Sequence, residues 1–266
     1  MFKFKGAKES HRAGGVSLLV KICQVLGLRK REIVSFIGGG GKTTLMFRLA
    51  EEIPYSCKVI ITTTTKIFMP PEKYPLIMLE GREPAETELE RYLETGLRPV
   101  VVSGKSDNNK VKGITSGQVR MLHNYASFIL VEADGSKRLP LKGHLEYEPV
   151  IPGQTTVLVV VIGADIIGKT LDDKNVHRPG VVSARTGREM GSVIDVEMIA
   201  GLINHPQGLL RKIPLGARVI AFINKVDCLE DVNEGYRLGR LLLGEKVRKV
   251  ILGSAVAEKP VLDMME

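Results

Sequence analysis

Four consecutive glycines, Gly38 to Gly41, stand between an apolar run and a helical pattern, with Lys42, Thr43 and Thr44 directly after them. Ile33, Val34, Ser35, Phe36 and Ile37 read as a buried strand, and Leu45, Met46, Leu49 and Ala50 recur at helical spacing. A chain that goes from buried strand to helix through glycines exposes backbone N–H groups at the turn. Glycine permits the turn and lets the backbone approach an anion closely. The helix N-terminus adds its partial positive charge. This context predicts a phosphate-binding loop, with Lys42 reaching the outer phosphates of a nucleotide and the Thr43 hydroxyl on Mg²⁺.

The spacing departs from the common form G-x-x-x-x-G-K-[ST], because Phe36 stands where the first glycine belongs. Gly38, Gly41, Lys42 and Thr43 satisfy the shorter form G-x-x-G-K-T, which resembles the phosphate loop of the Mur-ligase group.

The rest of the chain reads as alternating strands and helices. Strands are expected at Cys57–Ile61, Arg98–Ser103, Phe128–Ala133, Thr156–Ile162, Arg218–Ile223 and, last, Val247–Leu252. Helices are expected near Leu18–Leu26, Glu83–Thr95, Gly117–Tyr125, Asp195–Asn204 and Val232–Leu243. Residues 104–113 and 163–190 read as polar and irregular. Fully apolar strands separated by helices predict an α/β fold, a three-layer P-loop NTPase-like, mostly parallel sheet with helices on both faces. The expectation is one nucleotide-binding domain over 1–266, with a helical segment at 1–31 and an irregular insertion at about 138–190.

Composition narrows the function classes. No apolar run is long enough to span a bilayer and no signal-peptide pattern opens the chain, so a cytoplasmic location without a membrane span is expected. The cysteines, Cys23, Cys57 and Cys228, are scattered and read as reduced. Net charge is +8, but the basic residues are dispersed and aromatics make up only 5%, so base-stacking platforms are scarce and nucleic acid is not the expected partner.

Ligands of such sheets gather at strand ends. Asp134 follows the apolar strand and is expected to hold Mg²⁺, with Glu132 as a second carboxylate or general base. Asn224, Lys225 and Asp227 form N-K-x-D after another strand, the pattern that reads guanine: a carboxylate accepts from both N1–H and the exocyclic amine, a donor pair adenine lacks. Ser254 and Ala255 follow the next strand and resemble the loop whose amide meets the guanine carbonyl. Thr63, Thr64 and Lys66 end the second strand, where they would touch the γ-phosphate or metal, although threonine enrichment also suits a strand. Lys137, Arg138, His177 and Arg178 are candidates for an anionic second substrate.

Four blocks together resemble the YqeC family: the glycine loop through Phe47, Thr62 to Phe68, Val131 to Lys142, and Asn175 to Pro179. The resemblance covers roughly residues 30 to 255. It implies a P-loop nucleotide-binding fold and an accessory role in maturing a selenium-containing molybdenum cofactor for a hydroxylase client. Three functions follow. The first is a Mg²⁺-dependent NTPase, GTP favoured over ATP. The second is an NTP-dependent kinase or ligase acting on a small anion. The third is a nucleotide-gated binding protein without turnover.

Overall fold

In the computed structural model, which describes residues 20–82 and 86–266, the chain builds a nine-stranded sheet. Its strands are β1 (Glu32–Gly38), β2 (Val59–Thr63), β3 (Leu76–Met78), β4 (Val100–Val102), β5 (Phe128–Glu132), β6 (Val157–Gly163), β7 (Arg218–Asn224), β8 (Val247–Gly253) and β9 (Val261–Met265). The order across the sheet is β9-β8-β7-β6-β1-β5-β2-β4-β3. Every neighbouring pair is parallel except β8 and β9. The fold is therefore α/β with a mostly parallel central sheet, as the apolar strands predict.

Alternation along the strands separates two cores. Val34 and Phe36 of β1 face α1 (Lys42–Glu52), meeting Leu45, Met46, Leu49 and Ala50. Ile33 and Ile37 belong to the opposite face. That second core takes in Val119 and Leu122 of α3 (Ser116–Leu122), Val182 of α4 (Pro179–Thr186), Ile199 of α5 (Val196–Asn204) and Leu238 of α6 (Val232–Leu242). Helix α2 (Glu86–Glu94) adds Leu89 and Leu93 to the same face. Both faces of the sheet are thus covered, and its ligand-accessible edge is the row of C-terminal strand ends.

Four expectations are corrected. Residues 104–113 are not a plain loop: Gly104–Ser106 and Lys110–Lys112 form a hairpin that pairs with Ile67–Phe68. The stretch 163–190, within the expected irregular insertion, contains α4 and a strand Val176–His177 paired in parallel with Leu141–Lys142. The strand at Val247 is not the last, since β9 follows it and returns antiparallel. Within the expected N-terminal helix only Ile22–Val25 is helical among the described residues, while Leu18, Leu19 and the rest of 1–19 lie outside them, as do residues 83–85 of the expected Glu83 helix.

Candidate functional site

The glycine loop leaves β1 at the sheet's centre, where the strands on either side, β5 and β6, come from distant parts of the chain. Its geometry explains why glycine fills it. Gly38, Gly40 and Gly41 have φ of +99°, +79° and +116°. A Cβ on Gly40 would lie 2.3 Å from Gly163 Cα, and one on Gly39 2.7 Å from the Pro140 carbonyl oxygen.

Three of its amides are used within the protein. Gly38 N–H donates to Asp134 Oδ2 at 3.0 Å, Gly39 N–H to the Val161 carbonyl at 2.9 Å and Gly40 N–H to the Leu139 carbonyl at 3.2 Å. The amides of Gly41, Lys42, Thr43 and Thr44, at the start of α1, find no acceptor among the described residues. Four free donors at the N-terminus of an eleven-residue helix make an arrangement that suits an anion.

The two carboxylates at the end of β5 take different places. Asp134 is fully buried behind the loop and does not line the cleft. Lys42 Nζ lies 3.0 Å from its Oδ1 and also donates to the Gly38 carbonyl at 2.7 Å and to Ser136 Oγ at 3.2 Å. His144 Nε2 meets Asp134 Oδ2 at 2.6 Å. Burial opposes ionisation of Asp134, but Lys42 and His144 overcome it and hold the carboxyl well below the ordinary range. Burial lowers the His144 pKa despite Asp134, so a neutral imidazole donates from Nε2–H.

Glu132, by contrast, lines the cleft and accepts from Thr43 Oγ1 at 2.5 Å. Burial raises its pKa, against the pull of Lys42 and Thr43. The cleft-facing carboxylate expected of Asp134 is therefore Glu132, whose sequence signal is four apolar residues closed by an acid. No group of three or more His, Cys, Asp or Glu side chains could hold a metal among the described residues. Thr43 and Glu132 offer one hydroxyl and one carboxylate, a set that suits Mg²⁺ with phosphate and water completing its shell.

The N-K-x-D segment divides. Asn224 is buried and joins two loops: its Nδ2 donates to the Gly40 carbonyl at 2.7 Å, and its Oδ1 accepts from Ala255 N–H at 2.8 Å. The Ala255 amide expected to face a base is thus held by Asn224. Lys225, at φ +64°, pairs with Asp165 at 2.6 Å and lines the cleft, as does Ala255. Asp227 is exposed and outside the lining, and Ser254 is buried with its hydroxyl unpartnered.

The threonine run is mostly structural. Thr63 Oγ1 donates to the Glu132 carbonyl at 2.8 Å and Thr64 Oγ1 to the Val150 carbonyl at 2.6 Å. Neither lines the cleft, whereas Thr65 and Lys66 do. Lys137, Arg138, His177 and Arg178 all reach the same cleft, of about 1270 Å³, as the glycine loop. Sequence reasoning missed the roles of Ser136, Lys142, His144 and Glu148. Lys142 is buried and pairs with Glu148 at 3.0 Å, and Glu148 also holds Arg178.

The family model described as "YqeC protein" matches residues 34–180, more than half of the chain and inclusive of the glycine loop, β5 and the His177–Arg178 segment. An "Uncharacterized protein YqeC" of Escherichia coli (strain K12) is 33% identical over 241 residues, covering 89% of this chain and 93% of the relative. The chain belongs to the YqeC family.

Proposed function

We propose that this protein is a P-loop nucleotide-binding protein that takes a Mg²⁺-nucleoside triphosphate at the glycine loop and hydrolyses it. The observation that carries the reading is the convergence at one cleft of four free α1 amides with Lys42 and the Thr43–Glu132 pair. The amides and the helix dipole favour the inner phosphates. Lys42 is within the same loop and exchanges Asp134 for the outer phosphates. Thr43 and Glu132 would hold Mg²⁺, which would supply neutralisation of phosphate charge. Asn224 fixes the loop's Gly40 carbonyl, so the cradle is set before a ligand arrives.

GTP is the preferred nucleotide on this reading, with Lys225 and Asp227 nearest the base. The motif supports it; the exposed Asp227 would close on the base when it binds. Turnover serves maturation of a selenium-containing molybdenum enzyme, an inference from what the family resemblance implies.

Thermal-shift and calorimetric titrations with Mg²⁺-GTP and Mg²⁺-ATP test the proposal. GTP is expected to stabilise the protein more than ATP, and Lys42→Ala to remove both effects. Asp227→Asn should weaken GTP by about 1.5–3 kcal/mol, the value of one hydrogen bond to a charged group, and leave ATP unchanged. Stabilisation by ATP alone would sink the guanine assignment. No response to either nucleotide would sink the whole reading.

A further inference from the structure

The cleft is larger than the roughly 300–1,000 Å³ of an ordinary small-molecule pocket, so the glycine loop need not account for all of it. Its other wall comes from separate chain segments that converge there. Lys66 and Phe68 follow β2, Lys110 sits on the hairpin strand paired with Phe68, and Lys137 and Arg138 follow β5.

Three features set this wall apart from ordinary solvated charge. First, Lys66, Lys110, Lys137 and Arg138 make no ion pair among the described residues. The acids that share the cleft offer little compensation. Glu148 is committed to Lys142 and Arg178, Glu51 to Lys73, and Glu132 to Thr43, which leaves exposed Asp173. Second, two of the cations are organised on one aromatic ring. The Arg138 guanidinium carbon lies 3.9 Å and Lys110 Nζ 4.9 Å from the Phe68 ring centroid. Third, Lys137 and Arg138 are consecutive non-glycine residues at φ +52° and +66°, a left-handed conformation that side chains other than glycine adopt at a cost. Like charges held together by a strained turn, with no carboxylate paired to them, form a place that favours an anion. His177 adds to this: its Nδ1 is buried without a partner, and burial together with Arg178, Lys142 and Lys137 pushes its pKa down to about 4.

We propose that Lys66, Lys110, Lys137 and Arg138 form a second oxyanion subsite, which takes a small, multiply charged phosphate ester or polycarboxylate beside the nucleotide. The proposal rests on the nucleotide reading only for the identity of its neighbour. Anion binding at the wall stands or falls by itself.

Calorimetric titration of the full chain with inorganic phosphate and with citrate, at about 150 mM salt so that diffuse attraction is screened, tests it. The informative variant is Lys137→Gly with Arg138→Gly. Glycine suits both backbone conformations, so loss of binding there cannot be laid to a broken turn. The control is Arg29→Ala with Lys30→Ala, an exposed basic pair elsewhere. Binding by wild type, weakened by about tenfold or more in the glycine variant and unchanged in the control, is expected. Phosphate binding without citrate assigns the phosphate ester, and the reverse assigns the polycarboxylate. Equal binding by wild type and the glycine variant, equal weakening in the control, or no binding by wild type overturns the proposal. If Mg²⁺-GTP fails to bind while the wall still does, only the nucleotide reading has failed.

Discussion

The two walls of the cleft hold similar charges in opposite ways. At the glycine loop, Lys42 is 3% exposed and meets Asp134, Ser136 and the Gly38 carbonyl. Elsewhere in the cleft, Lys66, Lys137 and Arg138 are exposed and make no ion pair among the described residues. A buried cation without a partner is prohibitively costly, so the loop must carry its own counter-charge. An exposed cation is solvated and can wait for a ligand. The loop is therefore bound up with the stability of the fold, and the wall is not. An anion drawing on Lys42 would compete with Asp134, whereas one at the wall would meet no ion pair to break among the described residues.

The sharpest way to break this comparison is Asp134→Ala. It strands Lys42 in the interior and removes the acceptor of Gly38 N–H and His144. Loss of about 3–5 kcal/mol in urea unfolding is expected, as for any buried pair deprived of one member. The pH dependence has a definite sign. The folded-state pKa of Asp134 lies below its ordinary value, so this stabilisation is present above the ordinary carboxylate range and is lost as pH falls through the folded pKa. A variant as stable as wild type at neutral pH would show that the loop does not depend on its internal counter-charge.

Glu132→Gln has a smaller effect of the opposite sign. Burial raises the folded-state pKa of Glu132 above its ordinary 4.5, so the folded protein binds the proton more tightly than the unfolded chain. Stability therefore falls as pH rises from about that ordinary value through the raised one. Glutamine cannot ionise and should flatten this decline, which melting temperatures across mildly acidic to neutral pH would register. The same substitution should blunt the Mg²⁺ requirement for nucleotide binding. A decline unchanged in Glu132→Gln would place its source elsewhere.

The difference between the walls also explains what could be read from the sequence. Local pattern dominates at the loop: an apolar strand, glycines at positions where a Cβ would collide, and an amphipathic helix all lie within twenty-one residues, Glu32 to Glu52. The wall is assembled from short elements with little apolar signal. The hairpin strand Lys-Val-Lys at 110–112 buries a single side chain, and α4 begins with Pro179 after a left-handed Arg178. β9 lies on the sheet's rim with Leu262, Asp263 and Met264 exposed, so no alternation marked it. Asp134, the carboxylate expected at the metal, is buried behind the loop for a similar reason. Glu132 ends the strand and Asp134 follows it, and Asp134 is held inward by Lys42, remote in sequence, and by His144. The hydroxyls of Thr63 and Thr64 are spent on the carbonyls of Glu132 and Val150, partners that no local rule identifies.

The smallest expected effect is on the wall itself, and it is the most discriminating. Lys137→Gly with Arg138→Gly removes two charges that pair with no carboxylate among the described residues. It also relieves two left-handed non-glycine conformations. Against that gain, glycine adds unfolded-state entropy of about 0.4–1 kcal/mol per site, and the Arg138–Phe68 contact is lost at a cost of about 0.5–1 kcal/mol. These terms oppose one another, so urea unfolding should stay within about 1 kcal/mol of wild type. Set beside Asp134→Ala, this near-silence is the comparison in measurable form: the same cleft, one wall that the fold needs and one that it does not. A loss of several kcal/mol in the glycine variant would mean that the wall's cations hold the structure together, and the strained turn would then have a structural cause.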